Sequence, residues 1–365
     1  METWYLVVFL ALLYGFVQLF IKEKYLQVSN VFCILTIIIF VGCRYQLGND
    51  YDSYVLQYFL VDENSIYPEY TFVLLALFLR EHGFTYQMMF MIYSVLTGVF
   101  FYKGLRNFTK NEHKIALAIV LYIILYDLFW NSMSAVRQLL ACMLFFSAAR
   151  YIIEQKICKY ALYICLATAI HSSAIILLPI YFFGYKEYST KTLVCIVTVG
   201  FIISITNLLP SIFQVVLSNF SDIEQIARIS SYGETESNKY GLGNLFQLFV
   251  YYAILLTMKN YNKKDKMYGL MINMYTLTLF IKWSFYFMPP IARMSYYFCV
   301  FQVVFIPYYF YTCSLKCRII GQQVLNLLLA IILLHNISVT DGIAPWNRFL
   351  SVGRIEYEAN FNFWR

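Results

Sequence analysis

The chain has 365 residues, of which 61% are hydrophobic and 13% are charged. Soluble domains are about half apolar and about one quarter charged, so this composition excludes a soluble globular protein. The formal net charge of +7 fits the basic cytoplasmic loops of a membrane protein, and no nucleic-acid partner is expected. We therefore predict an all-α fold, a polytopic transmembrane helical bundle of roughly 10–13 membrane helices that include short broken or re-entrant ones.

Apolar segments of membrane-spanning length recur from one end of the sequence to the other. No stretch is polar enough to form a separate soluble domain, so residues 1–365 are expected to form a single integral-membrane domain. In chain order, helices are predicted over residues 4–21, 28–43, 68–80, 85–102, 115–130, 133–153, 160–183, 192–215, 243–258, 267–287, 291–312 and 319–336.

Lysine and arginine in short loops predict the orientation of these helices, because basic loops stay in the cytoplasm. The basic loops are residues 22–27, 103–114, 156–159, 259–266 and 316–318. The outer side then receives the polar loops 44–66 and 216–242 and the C-terminal tail 337–365. Counting membrane crossings makes 68–80 a half-helix, and it favours a break at His171 over one continuous span in 160–183.

Three arginines fall at the predicted outer side, and arginine binds phosphate oxygens well because its planar guanidinium stays charged. Arg44 follows the second helix, and Arg293 follows a pair of prolines. Arg137 opens a long apolar helix, with the amide of Gln138 beside it. Each arginine could instead be an interfacial anchor. Together they predict a site for a diphosphate at the depth of the lipid headgroups.

Acid–base groups occur in the same outer region. Asp50 and Asp52 follow a Gly-Asn turn, Glu69 begins the half-helix, and His171 precedes Ser172 at the predicted break. A carboxylate or an imidazole that faces a cavity can take the proton of an attacking hydroxyl. The alternatives are a solvated loop for the aspartates, a helix cap for Glu69 and a hydrogen-bonded core position for His171. The sequence does not choose one catalytic base among Asp50, Glu69 and His171.

Several motifs of cofactor-dependent enzymes are absent from the sequence. It contains no Walker motif, no GxGxxG, no HExxH and no Asp-rich metal box. These motifs bind nucleotides, dinucleotides and metal ions, so neither a cofactor nor a metal is expected.

Five short motifs follow one another in a characteristic order. They are Arg44-Tyr-Gln-Leu-Gly-Asn-Asp50-Tyr51, Pro68-Glu69-Tyr70, Arg137-Gln138-Leu-Leu-Ala141, His171-Ser with Pro179, and Arg293 with Tyr296. In these motifs and in hydropathy, nearly the whole chain resembles the EpsG-like family of bacterial exopolysaccharide and O-antigen polymerases of the Wzy type.

The resemblance implies a GT-C-like glycosyltransferase of the bacterial cytoplasmic membrane, with its active site on the outer, periplasmic face. Such enzymes act in exopolysaccharide or lipopolysaccharide biosynthesis and move a growing glycan from undecaprenyl diphosphate onto a lipid-linked repeat unit. Inverting transfer without a metal is expected. The implied partners are undecaprenyl-diphosphate-linked oligosaccharide repeat units, the lipid bilayer and a chain-length regulator protein.

The resemblance also implies roles for the candidate residues. Arg44, Arg137 and Arg293 would stabilise the diphosphate as it leaves. Asp50, Glu69 or His171 would be the base, and the supporting residues would be Asp52, Gln138, Ser172 and Tyr296.

Two other functions remain open at the level of sequence. An O-antigen ligase usually carries a larger outer loop with its own basic and histidine residues, whereas the loop 216–242 is modest and acidic. A lipid-linked oligosaccharide flippase should scatter its charges along a central passage. Here the polar groups are predicted on one side of the membrane, which favours transfer chemistry over transport.

Overall fold

A computed structural model describes residues 2–65, 69–125, 127–206, 209–212, 242–257 and 266–339. Every regular element among these residues is helical. Most of the predicted outer loop 216–242, most of the basic loop 259–266 and the tail beyond residue 339 lie outside the described residues.

The chain up to Ile153 forms nine helices within the described ranges. They are α1 (Glu2–Val17), α2 (Glu23–Gly42), α3 (Tyr51–Leu60), α4 (Tyr70–Glu81), α5 (Tyr86–Phe108), α6 (Glu112–Ile124), α7 (Asn131–Ser134), α8 (Val136–Ala148) and α9 (Arg150–Ile153).

From Ile157 onward the helices are more often interrupted. They are α10 (Ile157–Ile170), α11 (Ile180–Phe183), α12 (Thr190–Ile205), α13 (Leu242–Thr257), α14 (Lys266–Ser284), α15 (Pro289–Ala292), α16 (Tyr296–Cys299), α17 (Gln302–Thr312) and α18 (Leu315–Val339). Two 3₁₀ turns, Ser172–Leu177 and Arg293–Ser295, connect them.

Length and apolar composition identify the helices that could cross a bilayer. Among the described residues four qualify, namely Glu23–Gly42, Tyr86–Phe108, Val136–Ile153 and Leu315–Leu334, and the bent pair Pro290–Cys299 and Gln302–Thr312 would be a fifth. Five further apolar helices are shorter, namely Leu6–Val17, Ile157–Ile170, Ser172–Phe183, Thr190–Ile205 and Leu245–Thr257. The prediction of an all-α polytopic membrane bundle is confirmed.

Helix α8 is the centre of the bundle. All of its residues are buried, and the span Val136–Ile153 is 83% buried, compared with 33% for Glu23–Gly42. An apolar helix in a membrane can face either lipid or protein, and here α5 and α10 pack directly on α8. Where α5 crosses α8, Gly104 lies so close to the ring of Phe146 that a Cβ would collide with it. Arg137 therefore opens the most enclosed of the candidate spans in the described part of the chain.

Two predicted segments differ from the structure. The polar loop 44–66 contains the ten-residue helix α3, because Tyr51, Tyr54, Val55 and Tyr58 recur at helical spacing and form one buried stripe. The predicted helix 291–312 is divided, and its two parts are bent by 42°. At the bend the amides of Val303 and Val304 donate to carbonyls three residues earlier instead of four, so the helix tightens and changes direction there.

Candidate active site

The carboxylate of Glu69 joins three predicted site residues. One oxygen, Oε2, forms an ion pair with Nη1 of Arg137. The other oxygen, Oε1, lies 3.0 Å from Nδ1 of His171 and accepts a hydrogen bond of 3.1 Å from the backbone N–H of Ser172. We call Glu69, Arg137 and His171 the charged triad. Three separate parts of the chain thus meet at a single carboxylate.

Helix ends position the charged triad. Arg137 lies in the first turn of α8, Glu69 immediately precedes α4, and the extended backbone of His171 terminates α10. The break predicted at His171 is therefore present. The hydroxyl of Thr71 donates to the carbonyl of Ala169 at 2.6 Å, which ties the start of α4 to the end of α10. Backbone groups at helix ends lack partners within the helix, so side chains and other segments must satisfy them.

The surroundings of Arg137 are aromatic and mostly closed. Its guanidinium carbon is 5.3 Å from the ring centre of Tyr54 and 5.2 Å from that of Phe72, within the range of cation–π attraction. The side chains of Arg137 and Glu69 are only 10% and 15% exposed. The guanidinium and the positive end of α8 both favour an anion at this position, and Glu69 supplies one.

The electrostatics keep Glu69 ionised. Burial of Glu69 opposes ionisation, but the hydrogen bond from His171 and the charge of Arg137 outweigh it and lower the pKa of Glu69 to about 2. An ionised carboxylate only accepts hydrogen bonds, so Nδ1 of His171 carries the proton between them. The other ring nitrogen, Nε2, is then the one that can exchange a proton with a substrate.

Arg44 lies apart from the charged triad. It is fully buried, its Nη1 donates to the carbonyl of Val41 at 2.8 Å, and its guanidinium carbon is 4.0 Å from the ring centre of Phe90. Burial lowers the pKa of Arg44 to about 10, which leaves it protonated at neutral pH. In the described part of the chain, no hydrogen bond links Arg44 to the triad, and its predicted role in diphosphate binding stays a prediction.

Of the predicted aspartates, Asp50 directly precedes α3 and Asp52 lies in its first turn. Asp50 is half-buried, whereas Asp52 is exposed. Just before them, the backbone N–H of Asn49 donates to Oγ of Ser134 at 3.1 Å. Gly48 has a φ of +103°, and a Cβ there would collide with the carbonyl of Met133. The turn therefore holds Asp50 close to the segment that leads into α8.

Arg293 is brought to the start of α8 by its backbone. Its carbonyl accepts a hydrogen bond of 3.0 Å from Nε2 of Gln138, the neighbour of Arg137. The side chain of Arg293 is exposed. The predicted supporting residue Tyr296 begins α16 and is partly buried. Gln138 thus links the turn at Arg293 to the start of α8 through this hydrogen bond.

Sequence reasoning missed the tyrosines that surround the triad. Tyr54 covers Arg137, and the hydroxyl of Tyr297 is 2.8 Å from Oγ of Ser173, two residues after His171. Tyr297 is fully buried. In a chain with 34 tyrosines, composition alone offers no signal that selects these two. Only the buried stripe of α3, visible as helical spacing from Tyr51 to Tyr58, could have identified Tyr54.

A second buried ion pair was also missed. Nζ of Lys282, in the last turn of α14, lies 2.7 Å from Oδ2 of Asp127. Both side chains are mostly buried, at 21% and 12% exposure. The pair links α14 to the segment before α7 and therefore stabilises the frame in which α8 begins. Among the described residues, no three His, Cys, Asp or Glu side chains form a group that could hold a metal ion.

Comparison with known proteins identifies the family. The model of the EpsG family matches residues 27–350, a range that contains every predicted site residue. No curated protein and no solved structure matches the chain. The chain therefore belongs to the EpsG family, which is associated with polysaccharide polymerases.

Proposed function

We propose that the protein is a membrane polysaccharide polymerase that transfers a growing glycan from undecaprenyl diphosphate onto a lipid-linked repeat unit. Family membership supports a polymerase in general. The observation that carries the specific proposal is the carboxylate of Glu69, which contacts both Arg137 and His171. This arrangement combines an oriented proton acceptor with a cation at one mostly closed site.

His171 is the general base in this proposal, and Glu69 positions it. The carboxylate fixes the imidazole with its proton on Nδ1 and its lone pair on Nε2, as a carboxylate does in a catalytic triad. Nε2 takes the proton of the acceptor hydroxyl while the hydroxyl oxygen attacks the anomeric carbon of the donor glycan. Glu69 itself is a poor base near neutral pH, because its pKa is about 2. Asp50 remains the competing candidate, since it is half-buried at a neighbouring turn.

Arg137 and Arg293 stabilise the leaving group in this proposal. As the bond between the anomeric carbon and the diphosphate oxygen breaks, the electron pair and negative charge go to the diphosphate. Arg137 has a buried Nε with no hydrogen-bond partner in the described structure, and a diphosphate oxygen would supply that partner. Arg293 supplies an exposed guanidinium from the turn held by Gln138. Fixed cations aimed at developing charge lower the barrier without a metal.

Backside attack by the hydroxyl would invert the configuration at the anomeric carbon. The positive-inside rule supports an outer location for the charged triad on the cytoplasmic membrane, where a lipid-linked repeat unit would be extended. The immediate reactants are two lipid-linked glycans, and a chain-length regulator protein would act on the length of the product.

A polysaccharide ladder gel tests the proposed function. Cells that lack the gene are complemented with wild type, with His171→Ala or with His82→Ala, each variant being checked for its amount in the membrane. His82 is a matched control, because it is an exposed histidine at the end of α4 whose ring packs on Phe78 of the same helix. We expect a single repeat unit in the deletion strain, long chains with wild type and His82→Ala, and a single repeat unit with His171→Ala. A deletion strain with no repeat unit at all would instead indicate a ligase or a flippase.

A further inference from the structure

Tyr297 connects the two halves of the proposed site. Its hydroxyl lies 2.8 Å from Oγ of Ser173, two residues after the proposed base His171. Four residues before Tyr297, the carbonyl of Arg293 accepts the hydrogen bond from Nε2 of Gln138. The short segment from Arg293 to Tyr297 therefore contacts both the break after α10 and the start of α8.

This segment is short and continuously wound. The 3₁₀ turn Arg293–Ser295 leads directly into α16, which begins at Tyr296. At a rise of about 1.5–2.0 Å per residue, Arg293 and Tyr297 are roughly 6–8 Å apart along the axis. Ser295 and Tyr297 are buried, whereas the side chain of Arg293 is exposed. The backbone of the segment is thus held at both ends, while the guanidinium is free to reach a substrate.

The serine of this hydroxyl pair belongs to a closed turn. The carbonyl of His171 accepts a hydrogen bond of 3.0 Å from the N–H of Ala174, and Ser173 lies within that turn. Oε1 of Glu69 contacts Nδ1 of His171 and the N–H of the next residue. Residues 171–173 are therefore held by the carboxylate at one end and by the phenol at the other. A displacement of Ser173 would be passed on to the imidazole.

The hydroxyl of Tyr297 has a positional role. A phenol has the shape of a phenylalanine side chain with one polar group added, and a buried polar group without a partner costs free energy. Packing alone would be satisfied by phenylalanine, which needs no partner. Tyr297 is fully buried, and its hydroxyl is paired with a residue beside the proposed base. The pair therefore fixes α16 at one distance from the turn at His171.

We propose that Tyr297 is a positioning residue that acts through Ser173 and keeps the imidazole of His171 in register with the guanidinium of Arg293. The inference rests on the proposed function, in which His171 takes the proton of the acceptor and Arg293 stabilises the leaving diphosphate. Attack and departure occur on opposite sides of the anomeric carbon, so the base and the cation must keep one separation. A misplacement of about 1 Å can cost about 10²-fold in rate.

The test is a steady-state assay of the purified full-length protein with the lipid-linked repeat unit isolated from the deletion strain. Tyr297→Phe should lower kcat by about 10- to 100-fold and leave KM near the wild-type value, because the buried phenol does not touch the substrate. Ser173→Val should do the same. The double variant should lose no more than either single variant, because both changes remove one contact. Ser173→Thr keeps the hydroxyl and should recover most of the wild-type kcat.

A second pair of buried hydroxyls provides the control. Tyr251, on α13, is also fully buried, and its hydroxyl lies 2.6 Å from Oγ1 of Thr276 on α14. Tyr251→Phe removes the same group from the same kind of contact, and it should leave kcat near the wild-type value. Thermal unfolding should show similar losses in Tyr251→Phe and Tyr297→Phe. A difference in kcat between these two variants then reports the position of the base rather than stability.

Several outcomes would overturn the positioning role. Wild-type kcat in Tyr297→Phe is one, and losses that multiply in the double variant are another, since Tyr297 and Ser173 would then act independently. An equal loss of kcat in Tyr251→Phe would assign the effect to stability instead. If Tyr297→Phe does not fold, equal kcat values for Ser173→Val and Ser173→Thr overturn the inference on their own. The absence of long chains with wild type would contradict the proposed function itself, whereas unchanged kcat in the variants contradicts only the positioning role.

Discussion

Glu69 and His171 are 102 positions apart in the sequence, yet Oε1 of Glu69 lies 3.0 Å from Nδ1 of His171. This contact joins the segment before α4 to the break after α10, and it determines which nitrogen of His171 is free. The same carboxylate also neutralises Arg137. Glu69 therefore contributes both to the proposed proton transfer and to the stability of the site. Substitutions at its two partners can distinguish these contributions.

The His171→Asn variant should separate orientation from proton transfer. The asparagine amide can still donate to Glu69, but it has no basic nitrogen in place of Nε2. We expect the membrane level of the protein to stay near wild type while polymerisation falls by about 10²- to 10⁴-fold, the usual contribution of a general base. Incorporation of labelled repeat unit into long chains measures the rate. Wild-type rates in His171→Asn combined with a loss in Asp50→Asn would move the base to Asp50.

Arg137→Ala should impair both stability and polymerisation, because it leaves the Glu69 carboxylate without its ion partner. The expected cost in free energy of unfolding is about 1.5–3 kcal/mol, the range for hydrogen bonds to charged groups. Adding Glu69→Gln should recover much of that stability but none of the long-chain polysaccharide. Thermal unfolding in detergent and the ladder gel give the two readouts.

A matched ion pair provides the control for this experiment. Arg106, in the last turn of α5, pairs with Glu112 at 2.5 Å. Arg106→Ala should lower stability and leave the polysaccharide ladder intact. Long chains in the Arg137→Ala strain would remove Arg137 from the site.

The stability of the protein in acid should depend on Glu69. Its pKa is lowered from 4.5 to about 2, so the folded state favours the ionised form. The stability that this carboxylate contributes is complete above pH 4.5 and is lost as the pH falls through about 2. Glu69→Gln should therefore be less stable than wild type at pH 7, and the difference should shrink below pH 4.5. A difference in melting temperature between wild type and Glu69→Gln that stays constant down to pH 2 would contradict the ion pair. The variant Glu81→Gln, at an exposed position, controls for general effects of acid.

The turn at Gly48 should tolerate no side chain. Gly48→Ala must place a Cβ both at a φ of +103° and against the carbonyl of Met133. Such backbone strain alone costs about 1–3 kcal/mol, and the collision adds to it by pushing the turn before α3 away from Met133. We expect a clear loss of thermal stability and shorter glycan chains. Gly83→Ala is the control for backbone strain alone, because Gly83 has a φ of +71° with open space around it. Equal losses of stability in both variants would show that the contact with Met133 does not contribute.

The positions of most helices and of the candidate site residues can be predicted from the sequence. The contacts between segments that are distant in the sequence cannot. Arg137 at a helix start, the break at His171 and Glu69 ahead of a half-helix follow from hydropathy and charge, which are local. The pairing of these residues is not local, because it depends on how α4, α8 and α10 pack. Helix α3 was not predicted, because its buried stripe consists largely of tyrosines and lies in a segment with several charged residues. The position of Arg44 outside the triad depends in the same way on how α2, α5 and α8 pack, and no local pattern in the sequence indicates it.

The enclosure of α8 has a consequence for how this family can diverge. A helix that faces lipid on one side can exchange one apolar residue for another, since fluid hydrocarbon accepts many shapes. Helix α8 has no such side, because all of its residues are buried. Each replacement there must be matched by a neighbour on α5, α10 or α16, as Gly104 and Phe146 illustrate. New glycan specificities should therefore arise in the segments around α8, while α8 itself changes slowly and in concert with its neighbours.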